Sequence, residues 1–497
     1  MLKIKAFYGI TIAALIVFAS PESVFSQDIE RPVKSGLKTL EMKHAFELED
    51  CIAIAMQNSF QIRIAEKQLK LARVQLMKAM RDLGPEVKFL VEDSQGKVNR
   101  VLYTGRKLQA MGRQPIFRGG ELIYTLQQKR LALDVVKQDY ERIKNDLTLE
   151  VKEAYYSLDK TQKNIKIQKK LDKEVTKFQD IVKAGYKADA VSQIDFLKVS
   201  AHKNQADFNL ESATENMFVA NLMLQQTMNI EDEIAIRAVK EPRVIEIDLD
   251  TCYTLAYMNR PELKIAYLRE GFFRYGDKIK KAKAFAPKFD ILGMYGNMRE
   301  DWVPNDRQDA DVIPVFPTAT GRNDPRGLGP EYYLGFEATM PFWGNTVKCT
   351  LIEEEWQPVV SAWQGTQSRT STITFGILDA LTDIEGLSEG EVEYIKSQNE
   401  MNKKKQEVTL EVKEVYFKYK KAILLMKLAK SKVKYQEKEV ALLEIRRELG
   451  EALYSDVTEE LLKLAEEQYL CVQAIADYYT AIASLNKAVG IEGYFEN

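Results

Sequence analysis

Hydrophobic residues recur every three or four positions over most of this chain, which is the period of an amphipathic helix. This pattern predicts one helix over 47–81, a second over 120–183 and a third over 191–228. At 1.5 Å per residue, the second helix would be a rod of roughly 95 Å, longer than a single compact core. Its apolar positions form the seam of a coiled coil, so the helices are expected to pack side by side as rods.

Between the first two helices the pattern changes to a period of two residues. Val87, Phe89 and Val91 alternate with mostly polar neighbours, and a turn-rich segment separates them from a second extended stretch. This pattern predicts a strand hairpin over 86–117, and a similar pattern predicts another over 288–342. Strands of about ten residues are long enough to cross a bilayer when they are tilted.

Four pairs of similar segments occur in the same order along the chain, which indicates a tandem duplication. The pairs are TLEVKEAYY from Thr148 and TLEVKEVYF from Thr409, LEDCIAIAMQNSFQIRIA from Leu48 and LDTCYTLAYMNRPELKIA from Leu249, QPIFRGG from Gln114 and MPFWGN from Met340, and LQQTMNI from Leu224 and LNKAVGI from Leu485. The duplication defines a first repeat, 47–230, and a second repeat, 248–491, joined by an acidic connector, 231–247.

The second repeat is longer than the first, and the spacing of the matched segments locates the additional residues. A loop over 299–330 lengthens the second hairpin, and 36 further residues before the long helix are assigned to an insert at 356–391. The segment SRTSTITFGI inside this insert is a candidate strand. Beyond it the pattern predicts a long helix that ends at 449, a last helix over 453–489 and a C-terminal tail, 492–497.

The first residues have the features of a secretory signal peptide. Lys3 and Lys5 precede an apolar run over 8–19, and small residues close the segment, which predicts a signal peptide over 1–26. A polar stretch over 27–46 follows as an extended arm. The mature chain is therefore expected outside the inner membrane.

Composition and motifs give little support to catalysis. The 71 basic and 73 acidic residues nearly balance, so no overall field favours nucleic acid as a partner. The two histidines, His44 and His202, stand in unrelated contexts and are expected to be solvated. The sequence contains no zinc-protease, nucleophile-elbow, phosphate-loop or dinucleotide motif, so we predict no enzyme, no metal site and no cofactor.

The four cysteines show no metal-ligand spacing, and two of them, Cys51 and Cys252, occupy equivalent positions in the two repeats. Three interpretations of this pair stay open: small buried hydrophobes, a disulfide, or ligands. We favour buried packing, because both cysteines lie in predicted helices among apolar positions.

The order of these parts resembles the TolC-like outer-membrane efflux protein family. The resemblance rests on helix, hairpin closed by QPIFRGG, long helix with EVKEAYYSL, turn and helix, all occurring twice over about 47–491. It implies a mainly α fold with a membrane β-barrel. In a homotrimer, four strands from each copy would close a twelve-stranded β-barrel, and long antiparallel coiled-coil helices would continue it as an α-barrel. The insert at 356–391 would lie at the belt around the helices.

The resemblance also implies a function. Such a protein is a passive exit duct of a tripartite efflux or type I secretion system in the outer membrane of a Gram-negative bacterium, with its helical part in the periplasm. Its partners would be two further copies, a periplasmic adaptor (membrane fusion) protein, an inner-membrane pump of RND or ABC type, and outer-membrane lipid. The alternative is a periplasmic coiled-coil structural or adaptor protein without a pore.

The resemblance places a gate at the periplasmic tip. In the family, a glycine at the second tip turn is followed six residues later by Asp, and Gly450, Asp456 and Glu459 match this pattern. Threefold symmetry would arrange six carboxylates around a constriction that binds cations. The alternative is that these acids are solvated and favoured only by the positive end of the helix dipole.

The first tip turn departs from the family pattern. Asp189 stands where glycine is usual, before Asp195. Arg447 replaces a tyrosine of the family at the second turn. We therefore predict that Arg446 or Arg447 holds the tip closed by pairing with Asp189 or Asp195.

Overall fold

The computed structural model describes residues 45–98, 101–232, 234–304, 329–356 and 366–495. The predicted signal peptide, nearly all of the predicted arm and His44 lie outside the described residues. So do the middle of the predicted 299–330 loop and the last two residues of the predicted tail.

Long rods dominate the fold, because the three- and four-residue apolar period continues through them. The described residues form eight helices, which are α1 (Leu48–Asn58), α2 (Phe60–Arg81), α3 (Glu121–Lys187), α4 (Gln193–Met228), α5 (Leu249–Asn259), α6 (Pro261–Phe285), α7 (Leu381–Glu448) and α8 (Tyr454–Val489). Among the described residues, no helix combines the length and the apolar character needed to cross a membrane.

The first predicted helix, 47–81, is wrong as a single element, because the chain breaks at Ser59 into α1 and α2. Ser59 is extended (φ −63°, ψ 124°), and its hydroxyl accepts from the backbone N–H of Ile62 at 3.4 Å, which caps α2. Arg260, the repeat equivalent, adopts nearly the same backbone (φ −64°, ψ 121°) and precedes Pro261 at the start of α6. Only that proline signals the break in the sequence.

Each break receives the end of another helix. Asn58 donates its side-chain amide to the carbonyl of Met228 at the end of α4 (3.3 Å). In the second repeat, Gly490 at the end of α8 lies so close to Arg260 that an added Cβ would come within 2.9 Å of the Arg260 Cα. In each repeat, the C-terminal end of the last helix, α4 or α8, therefore packs against the break between the first two helices of the same repeat.

The two longest helices, α3 and α7, make most of the contacts between helices. α3 packs against α2, α4, α6 and α8, whereas α7 packs against α6 and α8. Buried positions on α3 recur at seven-residue spacing, as at Val151, Leu158 and Ile165, which is the knob spacing of a coiled coil. The middle of the buried seam of α4 consists of alanines at seven-residue spacing, Ala206, Ala213 and Ala220, whose small side chains favour a close approach of the two helices.

The connector between the repeats is held by tyrosine hydroxyls. Tyr155 donates to the carbonyl of Arg237 (2.8 Å), and its repeat equivalent Tyr416 donates to the carbonyl of Ile247 (3.2 Å). Further bonds of this kind run from Tyr478 to Arg243 and from Tyr479 to Lys240. The tyrosines that follow the duplicated TLEVKE segments thus donate equivalent hydrogen bonds to backbone carbonyls of the irregular connector.

The strands form one antiparallel sheet in chain order. They are β1 (Glu86–Val98), β2 (Val101–Arg118), β3 (Lys288–Pro304), β4 (Gly329–Phe342), β5 (Asn345–Trp356) and β6 (Thr366–Gly376). The prediction of four strands per copy is therefore wrong, since the described residues contain a third hairpin, β5–β6.

The insert was also misplaced. The 36 additional residues occupy 345–380, directly after β4, and the part of the predicted insert beyond 380 belongs to α7. The candidate strand in SRTSTITFGI is part of β6 and lies in the sheet, so the predicted position at a belt around the helices is wrong. β5 was missed because three consecutive glutamates interrupt its apolar alternation. The start of α7 was missed because it is polar and contains two glycines.

Cys51 and Cys252 are free thiols with no exposed surface. This agrees with buried packing, and no disulfide joins them. Burial raises the pKa of the Cys51 thiol to about 12 and that of Cys252 to about 11. Both cysteines therefore serve as small apolar residues at the equivalent point of each repeat.

Candidate functional site

Two turns close the helical hairpins α3–α4 and α7–α8. Asp189 in the first turn and Gly450 in the second, 261 positions apart, both adopt the left-handed conformation, with φ of 57° and 79°. A helix commonly ends in this way, and glycine does so at the lowest cost. Asp189 therefore holds a backbone geometry that favours glycine, at the position where the resemblance implied a glycine.

Asp195 joins the two hairpins. It lies in the first turn of α4, where the Ser192 hydroxyl accepts from its backbone N–H (3.1 Å), and its side chain is almost fully buried. Its Oδ1 accepts from the backbone N–H of Ser455, in the first turn of α8, at 3.0 Å. An aspartate of the first repeat thus caps a helix of the second, where an amide would otherwise have no partner.

Asp456 makes the equivalent contact within its own helix. Its Oδ2 accepts from the backbone N–H of Leu453 (3.1 Å). Glu459 is exposed one turn later and pairs with Lys463 at 2.9 Å, which holds the pKa of the glutamate below its ordinary value. Within one copy Asp456 caps its own helix, and the predicted ring of six carboxylates depends on two further copies.

Arg447 does not form the predicted ion pair within the chain. Its guanidinium lies 5.4 Å from the ring centroid of Phe178 and 5.6 Å from that of Tyr454, and its nearest carboxylate is Glu448 at 3.4 Å. The arginine joins α3, α7 and α8 by stacking on aromatic faces.

None of the described ion pairs joins Arg446 or Arg447 to Asp189 or Asp195. Within one copy, Asp195 is instead bonded to the amide of Ser455.

His202 is a further tip residue, and the expectation that it is solvated is wrong. Its Nδ1 lies 2.7 Å from the hydroxyl oxygen of Thr458, so α4 and α8 are joined here too. Thr458 donates its own proton to the carbonyl of Ser455 (3.0 Å), which leaves its oxygen to accept from the imidazole. Burial lowers the pKa of His202, although Glu459 opposes the shift.

A row of charges crosses one face of the sheet, which sequence reasoning did not find. Arg113 on β2 contacts both Asp290 on β3 and Glu337 on β4, and Glu337 also pairs with Lys348 on β5 at 2.9 Å. Both carboxylates are buried, so the row is a satisfied network rather than a loose set of surface charges. The described residues contain no group of His, Cys, Asp and Glu suited to hold a metal ion.

Long paired helices joined to a strand meander also make up the fold of several solved outer-membrane channels. Solved structures with this fold include the outer-membrane channel OprN (13% identity, TM-score 0.66, 89% of each chain covered) and the Campylobacter jejuni CmeC outer membrane channel (13%, 0.69, 89% of this chain and 85% of the other). A third is the outer membrane protein VceC from Vibrio cholerae (13%, 0.66, 89% and 96%). At these identities the likeness concerns the fold.

Residues 51–229 match the sequence model of a family described as outer membrane efflux protein. This stretch covers most of the first repeat. No curated protein matches the chain in sequence. The resemblance to the TolC-like outer-membrane efflux protein family is thereby confirmed, since the first repeat is similar in sequence to such proteins and the chain as a whole is similar in fold to such channels.

Proposed function

We propose that this protein is a homotrimeric channel in the outer membrane of a Gram-negative bacterium, with its helical part in the periplasm. It acts as the exit duct of a tripartite efflux or type I secretion system. The observation that carries this proposal is a set of unfilled apolar seams on the outermost helices, since a single copy leaves them in water.

The clearest of these seams lies on α7. Leu410, Phe417 and Leu424 are spaced seven residues apart and are all more than half exposed, and Leu428, Tyr435 and Leu442 repeat the spacing beside them. The opposite edge of the helical layer, on α2 and α4, also exposes large apolar side chains, namely Phe60, Ile64, Leu71, Val74, Phe208 and Phe218.

A seven-residue apolar seam needs a partner helix. Because two different edges of the same chain carry such surfaces, a head-to-tail ring of copies would bury both. Three copies would place twelve rods around a central passage.

The tip is the proposed gate. Asp195 and His202 tie the α3–α4 hairpin to the α7–α8 hairpin, and the stacked Arg447 holds α3, α7 and α8 together. Asp456 and Glu459 would line the constriction as six carboxylates, favouring cations. Opening requires the two hairpins to separate, which breaks the Asp195 bond.

The partners of this duct are proposed from the resemblance. A periplasmic adaptor protein would dock on the helical hairpins, an inner-membrane pump of RND or ABC type would supply the driving force, and lipid would surround the apolar face of the sheet. The duct itself needs no cofactor and carries out no reaction in this proposal.

Single-channel conductance in a planar bilayer tests the proposal. Wild type should give a small cation-selective conductance, and a double variant, Asp456→Ala with Glu459→Ala, should lose that selectivity. Glu466→Ala is the matched control, because this exposed glutamate lies two helical turns beyond Glu459 on α8.

Each alternative result has a clear meaning. A pore with unchanged selectivity in the double variant would retain the channel and refute the carboxylate constriction. Well-folded protein that does not insert, and that remains monomeric, would favour a coiled-coil protein without a pore.

A further inference from the structure

The third hairpin changes the size of the proposed barrel. Resting on the proposed trimeric channel, we infer that β5–β6 spans the membrane with the other strands, and that β6 of one copy pairs with β1 of the next. Three copies then close a barrel of eighteen strands instead of twelve.

The hairpin starts at a turn that both repeats share. Gly119 and Gly120 follow β2 with φ of 60° and 85°, and Trp343 and Gly344 follow β4 with φ of 46° and 77°. Two successive residues with positive φ form the turn that joins paired strands in a two-residue hairpin. In the first repeat this turn leads into α3, whereas in the second it reverses the chain into β5.

The two ends of the additional segment meet. The backbone N–H of Ala380 donates to the carbonyl of Gly344 (3.0 Å), and that of Leu378 donates to the side-chain oxygen of Asn345 (2.9 Å). α7 therefore begins beside the turn at which a helix would have begun without the hairpin. The segment is a closed unit added at one point of an otherwise duplicated plan.

The third hairpin continues both faces of the sheet. On one face the apolar residues Val347, Cys349, Leu351, Ile373 and Phe375 extend the row formed by Phe89, Phe289, Ile291, Phe336 and Met340. On the other face Lys348 joins the buried charge network through Glu337, beside Thr350, Thr372 and Thr374. An apolar outer face and a polar inner face are what a membrane barrel requires of every strand.

The two edge strands suit each other. β1 has 13 residues and β6 has 11, enough to cross the bilayer, and an even number of strands brings them together antiparallel. Phe89 on β1 is 80% exposed and Phe375 on β6 is 70% exposed. Because lipid offers no partner for a strand edge, each edge needs another strand, and a second copy supplies it.

The expected consequence is a wider duct. Barrel diameter grows roughly in proportion to strand number, so eighteen strands give about 1.5 times the diameter of twelve, or about 36 Å instead of about 24 Å. Twelve helices at about 9 Å spacing have a circumference of roughly 108 Å, close to the roughly 113 Å of eighteen tilted strands. The wider barrel therefore continues the helical barrel without a narrow neck.

Disulfide cross-linking between copies tests this pairing. In a background with all four native cysteines replaced by alanine, one cysteine is placed on β1, at Lys88, Leu90 or Glu92. A second is placed on β6, at Thr370, Thr372 or Thr374, or on β4, at Gly335 or Thr339, and membranes are oxidised. We expect linked dimers and trimers from at least one β1–β6 pair and none from the β1–β4 pairs.

A shortened chain provides the matched control. Deleting 345–379 joins Gly344 to Ala380, which are already hydrogen-bonded, and makes β4 the edge strand. The β1–β4 pairs should then cross-link between copies. This reversal shows that the cysteines report which strand lies at the edge.

The possible outcomes distinguish a failure of the eighteen-stranded barrel from a failure of the proposed channel function. Cross-linking of β1 to β4 in the full chain would overturn the inference and place the third hairpin outside a twelve-stranded barrel, with the trimer intact. A β1–β6 disulfide within a single copy would also overturn it. A monomer that forms no conducting pore would overturn the proposed function itself.

Discussion

Replacing Asp195 should loosen the tip. Its carboxylate accepts the Ser455 amide at 3.0 Å and is 3% exposed, so Asp195→Ala leaves a buried N–H without a partner. Such a loss costs about 1 to 3 kcal/mol, which corresponds to a roughly 5- to 150-fold larger population of separated hairpins. Asp195→Asn keeps an acceptor but loses the charge, so its effect should be smaller.

Hydrogen exchange read on peptides that cover the start of α8 measures this population directly. Exchange at Ser455 and the following amides should accelerate by the factor given above in Asp195→Ala. Asp456→Asn is the control, because its carboxylate caps its own helix and not the other hairpin. It should fray the first turn of α8 without raising the rate of channel opening.

The same variants can be compared by single-channel recording. Asp195→Ala should open more often than wild type, with an unchanged conductance of each open event. Exchange within twofold of wild type, together with an unchanged opening frequency, would show that the bond from Asp195 to Ser455 does not hold the two hairpins together.

Three further perturbations test other parts of the structure. Gly450→Ala should destabilise the second turn by about 1 kcal/mol, because alanine is strained at this positive φ although no atom lies near the added Cβ. Asp189→Gly should stabilise the first turn. Thermal melting followed by the helical circular dichroism signal measures both effects. Burial holds the pKa of His202 below its ordinary 6.5, so the state with separated hairpins binds more protons than the closed state as the pH falls below 6.5. The contact between the hairpins should therefore weaken as the pH falls from 6.5. His202→Gln should flatten the pH dependence of hydrogen exchange at the start of α8. Tyr416→Phe should cost about 1 kcal/mol by removing the donor to the connector carbonyl of Ile247, and faster proteolysis within 231–247 would reveal it.

The helical part of the fold followed from the sequence because its period is long and regular. The duplicated segments and the coiled-coil seam predicted long rods packed side by side. The break at Ser59 was missed because serine is compatible with a helix interior. Its cause is the end of α4 packing against the chain, which is a contact between distant residues. Sequence periodicity carries no record of such a contact.

The tip was predicted less completely, since its contacts depend on which helix faces which. Gly450 and Asp456 were found by motif, and Asp189 was recognised at a glycine position. The bond of Asp195 to Ser455 was not, because a carboxylate at a helix start normally caps its own helix. Arg447 was expected to find a carboxylate, although Phe178 and Tyr454 offer it two aromatic faces.

The duplication explains why the tip is asymmetric. Asp195 and Asp456 are repeat equivalents, 261 positions apart, yet the first caps the other hairpin and the second caps its own helix. The difference arises at the N-cap position, where Ser192 satisfies the amide of Asp195 itself and Leu453 has no such group. Asp456 accepts from the backbone N–H of Leu453, while the amide of Ser455 is bonded to Asp195. Replacing Leu453 by serine should complete a capping box with Asp456 and stabilise the first turn of α8 by about 1 kcal/mol, which slower hydrogen exchange there would reveal.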